Sequence, residues 1–375
     1  MKKIFLSLLL VCHFHPLLAG LARSEALGGS YVAHHYFYDS SNVFLNPSYL
    51  NLGSNFFIME WGDDIDLAEN DSGRRPEGGI FKTIGPLHTG LYLGHDGPSA
   101  SRKEITIDNA NRNLLYPNNS AEIFIAGDVG PKWGISFKAS HNTDRPIGTA
   151  QKEQNTLEVK FGILDSPYEI FLNFTPIDTS KGGETSSAKF EGHLATTLGA
   201  SYTFYDYIFH ATLKKNGYDY YREHDGLLEQ RKTYFEWTLG SGSTLWLTEE
   251  AKIYIDMYLF TSKSTTHERI SNANVAYETN LWKVPVTIGL EAYVKEWLTL
   301  RGNISQNLYS EQNSSAYKHR SVKDSTSVIM GATFHLGNFK IDGLVGTVDA
   351  LGNERKTGQF NLSTLMTKVS ASYSF

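Results

Sequence analysis

The chain of 375 residues contains a single cysteine. That residue, Cys12, lies in an apolar N-terminal stretch and follows Val11, where a lipoprotein site would carry a small residue. Once that stretch is removed no thiol remains, which excludes disulfides, thiolate metal sites and a thiol nucleophile. Long apolar runs are also missing. Mean hydropathy is −0.31. The run Ile4 to Val11, interrupted only by Ser7, falls far short of the ~20 residues of a membrane helix. The formal net charge is −6 with no concentrated basic patch, so nucleic acid is not an expected partner. No proline-rich linker or low-complexity tract divides the chain. No stretch carries a sustained helical period. There is no G-x-S-x-G elbow and no H-E-x-x-H pair. His34 and His35 are adjacent, and neighbours on an extended chain point apart, so they make a poor metal site. Asp63, Asp64 and Asp66 read as a solvated loop. No catalytic residue, cofactor or metal site is expected, and the chain does not read as an enzyme.

Aromatic residues, by contrast, make up 13% of the chain, with 21 Tyr, 21 Phe and 33 Gly. The N-terminus has the layout of a cleaved secretory signal over residues 1–22. Lys2 and Lys3 precede the apolar run, and the small residues Ala19, Gly20 and Ala22 follow it. Cleavage is expected after Ala22 with Gly20 at −3, leaving Arg23 first; a cut after Ala19 is the alternative. Removing Lys2 and Lys3 takes the formal charge from −6 to −8.

Beyond the signal, alternation dominates. In the last ten residues Val369, Ala371, Tyr373 and Phe375 share one side, and Lys368, Ser370, Ser372 and Ser374 the other. That is a strand with one greasy and one polar face. Trp133, Ile135, Phe137 and Ala139 repeat the pattern, as do Leu157, Val159, Phe161 and Ile163. Phe190 is placed on one side with Leu194, Leu198, Ala200, Tyr202 and Phe204. Short joins at Asp128–Pro131, Asp165–Pro167, Tyr205–Asp206 and Gly337–Asn338 alternate with long polar joins. The long ones include Asn142–Gln154, Pro176–Ser187, Asn216–Arg231 and Asn307–Ser325. This parity predicts an all-β, up-and-down transmembrane antiparallel β-barrel of 14–16 strands. The larger count needs one long strand through Pro285 with a bulge there. Gly240–Ser243 reads as a turn. Residues 53–375 are the expected barrel in a bacterial outer membrane, and Tyr373 and Phe375 the expected signal to the barrel-assembly machinery.

Residues 23–52 do not alternate, yet Leu27, Tyr31, Val32, Val43, Phe44 and Leu45 are too apolar for a solvated tail. They are expected to pack in the lumen. The run Arg23-Ser24-Glu25-Ala26-Leu27-Gly28-Gly29-Ser30-Tyr31-Val32-Ala33, followed by Asn46-Pro47-Ser48-Tyr49-Leu50, resembles the N-terminal hatch of the long-chain fatty-acid transporter (FadL-like) superfamily, which includes PorV-type barrels. Those proteins carry R-x-x-x-x-G-G and N-P-A-x-L elements; here Ser48 replaces the usual Ala. Gly289-Leu290-Glu291-Ala292-Tyr293, with Trp297-Leu298-Thr299-Leu300-Arg301-Gly302, is similar to a late hairpin of the same group. The resemblance covers about 40 residues and implies a 14-stranded barrel plugged by the N-terminal segment, with Gly28, Gly29, Asn46 and Pro47 as plug residues.

Candidate lumen-lining residues are Phe124, Phe171, Glu158, Lys160, His193 and Arg301. The expected role is passive uptake of a small, hydrophobic solute, with outer-membrane lipid as surroundings. A PorV-like assembly barrel that binds protein partners and a general porin for polar solutes are the alternatives.

Overall fold

A computed structural model describes residues 20–28, 37, 39–53, 55–62, 76–95, 114–115, 117, 119–145, 151–182, 188–221, 227–270, 273–315, 319–321, 326–347 and 365–375. Gly29, Tyr31, Val32, His34, His35, Asp63, Asp64 and Asp66 lie outside the described residues.

The described residues begin with a short helix, α1 (Leu21–Ala26), and two 3-10 turns, Ser40–Phe44 and Pro47–Leu52. Strands follow: β1 (Phe56–Gly62), β2 (Glu77–Ile84), β3 (Leu87–Leu93), β4 (Ala121–Asp128), β5 (Lys132–Asp144) and β6 (Lys152–Asp165). Then come β7 (Tyr168–Lys181), β8 (Lys189–Gly192), β9 (Ala195–Phe204), β10 (Tyr207–Tyr221), β11 (Leu228–Thr248) and β12 (Ala251–Ile270). The last are β13 (Ala273–Lys295), β14 (Leu298–Ser314), β15 (His319–Ser321), β16 (Thr326–Leu336), β17 (Phe339–Thr347) and β18 (Leu365–Ser374).

Strands that neighbour one another in the ring pair antiparallel, and β18 returns to β1 with Trp61 opposite Val369 and Phe57 opposite Tyr373. The sheet therefore closes and has no free edge. β8 and β9 occupy one place between β7 and β10, and β15 is an extra pairing on the end of β14, leaving a ring of 16 strands. β13 runs through Pro285 with a register shift there, because proline cannot donate to the ladder.

Alternation decides the two faces of the wall. In β1, Phe56, Ile58 and Glu60 are buried inside while Phe57, Met59 and Trp61 face out. In β18, Lys368, Ser370 and Ser372 are buried and Tyr373 faces out. The outer surface carries Leu91, Ile123, Phe137, Phe161, Ile170, Leu198, Phe235, Leu239, Ile304 and Met330. Each such side chain in water would forgo about 1.5–3 kcal/mol of burial. An apolar girdle round a closed barrel with a polar interior is a surface built for lipid.

Three expectations need correction. Phe190 does not share a side with Leu198, Tyr202 and Phe204. It is fully buried inside, whereas they face out. Between Gly192 and Thr196 three residues stand opposite Asn216 and Gly217 of β10, and this one-residue bulge flips the face. Gly240–Ser243 is no turn. It lies within β11, where Gly240 leaves room for the His210 ring of β10. The long joins are also shorter than expected: β10 continues to Tyr221 and β11 begins at Leu228, so much of Asn216–Arg231 is paired strand. Polar residues on both faces beyond the apolar girdle hid those extensions from a pattern based on greasy alternation.

Candidate functional site

The described parts of the N-terminal segment pack against the inner face of the wall. α1 packs against β14, β16, β17 and β18, and the second 3-10 turn against β3, β4, β5 and β6. These strand groups form separate arcs of the ring, with β1 and β2 between them on the nearer side.

The α1 side is ionic. Arg23 is buried, and its guanidinium grips Glu291 of β13 with two bonds of 3.1 Å (Nε to Oε1 and Nη2 to Oε2). Its Nη1 donates to Asp39 Oδ2 at 2.7 Å. Glu291 also accepts from Arg301 Nε at 2.6 Å and from the Tyr254 hydroxyl at 2.9 Å. Arg301 Nη1 reaches Asp342 Oδ1 at 3.1 Å and bonds Thr333. Charges thus alternate along Asp39, Arg23, Glu291, Arg301 and Asp342, which is how buried ions offset their desolvation. Next to this chain, Lys368 Nζ donates to Glu25 Oε1 at 2.6 Å. Asn303 Nδ2 donates to the carbonyls of Glu25 and Ala26, which satisfies the end of α1. Gly28 follows in a left-handed conformation (φ 88°) and donates its N–H to the Glu25 carbonyl.

The other side is mostly apolar. Val43 and Leu50 join Phe56, Ile58, Phe81, Tyr92, Phe124 and Ala126 in one cluster, with Phe44 packed against it. Phe44 stacks on His95 at 4.1 Å and meets Tyr92 edge-on at 4.7 Å. The Asn46-Pro47 turn is bolted to β7: Asn46 Nδ2 donates to Glu169 Oε1 and the Tyr49 hydroxyl to Glu169 Oε2, each at 3.0 Å. Ser201 Oγ also donates to Glu169, at 2.9 Å. Gly162 and Gly134 of the wall lie directly beneath Asn46 and Pro47, where a Cβ would collide. A small cavity remains between segment and wall, lined by Ser40, Ser41, Val43, Phe44, Ile58 and Phe81 among others.

Burial shifts two groups of this region. It pushes the Asp39 carboxyl up to about 6, against the pull of Arg23. It holds the His95 imidazole well below its usual value, with help from Lys138, Lys160 and Lys368. His95 Nδ1 lies 3.3 Å from Glu77 Oε2, a distance that also suits an ion pair. With burial the largest influence, His95 is neutral at pH 7 and the contact is an ordinary hydrogen bond.

The expected lining residues divide. Phe124 belongs to the apolar cluster, and Arg301 to the ionic chain. Lys160 pairs with Glu122 at 2.8 Å, while Glu158 stands 3.8 Å from Lys160 and 3.9 Å from Lys138. Phe171 is buried inside over Gly199. His193 is elsewhere: at the β8–β9 bulge it contacts Asp219 at 3.2 Å, and Arg231 holds Asp219 from the other side. Tyr373 and Phe375 stand exposed at the chain end with their rings 6.5 Å apart. Sequence reading missed Glu60, Glu169, Tyr254 and Asp342. Glu291 and Arg301 had a signal, since both sit in the late hairpin and face one another across β13 and β14. His210 and Asp256 form a buried pair at 3.0 Å. Among the described residues no group of three or more His, Cys, Asp or Glu could hold a metal ion.

No protein-family model matches the chain, and no curated protein sequence matches it. Among solved structures it is similar to a porin at 10% identity, over 86% of this chain and 99% of the porin, with a TM-score of 0.40. It is similar to the Pseudomonas putida toluene transporter TodX at 12% identity, over 96% and 99% of the two chains, with a TM-score of 0.41. The CymD monoaromatic hydrocarbon channel matches at 12% identity, over 94% and 96%, with a TM-score of 0.39. Scores this low describe barrels of comparable size and carry nothing about cargo.

Proposed function

We propose that this chain is a bacterial outer-membrane barrel for passive uptake of a small, hydrophobic solute, with the segment from Arg23 to Leu52 as its plug. One observation carries this reading: the described parts of the segment pack on the inner face of the wall and are fastened to two separate arcs of it by different chemistry. A general porin for polar solutes would leave that space to water. An apolar solute needs a dry surface that can open, and Val43, Phe44, Phe56, Ile58 and Phe81 around the small cavity supply one. Towards the long-loop end, Phe190, Tyr218 and Tyr220 form a second buried aromatic cluster with Leu114 and Ala188.

The test uses proteoliposomes of the full chain. Wild-type vesicles are expected to exclude small sugars in a swelling assay and to admit a small apolar fluorophore faster than empty vesicles. Removing residues 23–52 should raise sugar permeability. Rapid swelling with the wild type would turn the reading into a polar porin. No effect of the protein on either solute would favour an assembly barrel that acts through protein partners.

A further inference from the structure

Glu60 of β1 is 1% exposed. Among the described residues its oxygens meet three donors. The Leu21 N–H at 2.5 Å and Ser370 Oγ at 2.7 Å share Oε1, and the Tyr92 hydroxyl takes Oε2 at 2.9 Å. None of these donors carries a charge. The ammonium of Lys368, on the neighbouring strand, attracts Glu60 but is bonded to Glu25 and so is shared between two acids. A buried carboxylate that shares its nearby cation and is bonded by neutral donors is costly, because its desolvation is offset without a counter-charge in direct contact.

We propose that the counter-charge is the chain's own α-ammonium: the secretory signal is cut after Ala19, and Gly20, the new first residue, seats its amino group against Glu60 on the inner wall. Water adds across the Ala19–Gly20 amide under a signal peptidase. The released peptide keeps the new carboxylate, and Gly20 keeps the amine, which takes up a proton.

Four observations support the seat. The Gly20 carbonyl accepts the N–H groups of Arg23 and Ser24 and so opens the first turn of α1. Leu21 and Ala22 are buried, and Ala22 packs with Ala26, Ile329 and Leu344. The Ala22 N–H donates to Ser370 Oγ at 3.3 Å. A Cβ at Gly20 would strike the Glu60 carboxylate and the Ser370 hydroxyl, so only glycine fits, and its nitrogen is one residue from the N–H already bound to Glu60. A cut after Ala22, which the small residues at −3 and −1 favour, would delete these contacts and leave Glu60 with less. The proposal rests on the secretory reading of the N-terminus and is independent of any cargo.

The full chain, purified from outer membranes, decides the position by intact mass and sequencing of its first peptide. A chain that begins at Gly20 is expected. One that begins at Leu21 or Arg23 overturns the assignment, and an uncleaved chain overturns the secretory reading with it. Reductive methylation of the terminal amine then tests the seat. In the folded protein it should run slower than in the unfolded chain by on the order of tenfold or more, the ratio that ~1.4 kcal/mol of opening free energy gives. In Glu60→Gln the folded rate should rise towards the unfolded one. Equal rates in folded and unfolded wild type overturn the seat. Full protection in Glu60→Gln overturns the role of the carboxylate. Should that variant not fold, the wild-type ratio still decides.

Discussion

The N-terminal segment holds the barrel with two different grips. On one side α1 is held by charge, through Arg23, Glu291, Arg301, Asp342, Glu25 and Lys368. On the other side the 3-10 turns are held by aromatic packing, with Glu169 bonded to Asn46 and Tyr49. The physical contrast is sharp. A buried ion network is all-or-none, because removing one member strands the charge of the next. An aromatic contact weakens by degrees, because neighbours can relax into a cavity. A segment that must stay in the barrel and yet yield locally suits this division: the ionic end as anchor, the apolar end as the part that moves.

The comparison can be broken at four points. Arg23→Ala should have the largest effect, since it leaves Glu291 and Asp39 buried with less positive charge. A loss of about 3–5 kcal/mol is expected from urea unfolding in lipid vesicles, with a rise in bilayer conductance. If conductance stays at the wild-type level, α1 is no anchor. Phe44→Ala should cost about 2–3 kcal/mol, the low side of the range for a buried ring because Phe44 is only half-buried. It should speed uptake of the apolar fluorophore more than it lowers stability. Glu169→Gln keeps one acceptor oxygen for Asn46, turns the other atom into a donor to which the Tyr49 and Ser201 hydroxyls must rotate as acceptors, and removes the charge, for a loss of about 1.5 kcal/mol; a loss as large as that of Arg23→Ala would erase the distinction between the grips. Acid should act least. His95 is held neutral when folded, so the unfolded chain binds the extra proton. Stability is then fully present above pH ~6.5 and falls as pH drops below it, by under about 1 kcal/mol at pH 6. Asp39, raised to about 6, binds its proton in the folded state and acts in the opposite sense as pH falls through that value. His95→Phe should therefore remove the fall while keeping the stack on Phe44; a fall that persists in this variant would assign it to another group.

Much of the wall was legible in the sequence. A strand with one face to lipid and one to a polar lumen must alternate, and Val369 to Phe375 against Lys368 to Ser374 do so without a break. Where a bulge interrupts the period, as between Gly192 and Thr196, alternation misplaces whatever lies beyond it, and Phe190 was lost that way. The Glu291–Arg301 pair was half legible, because a hairpin places facing residues together. Glu169 was not, since its partners Asn46 and Tyr49 lie more than a hundred positions earlier.

By itself, then, the sequence determined that the chain would form an even-numbered antiparallel barrel with an apolar outside. Those properties follow from local periodicity and the parity of joins. Closure of 16 strands with Trp61 against Val369 was decided only in three dimensions. So was the choice of which buried acid meets which cation across the ring. Such pairings depend on where separate arcs of the wall meet the N-terminal segment, and no spacing along the chain encodes that distance.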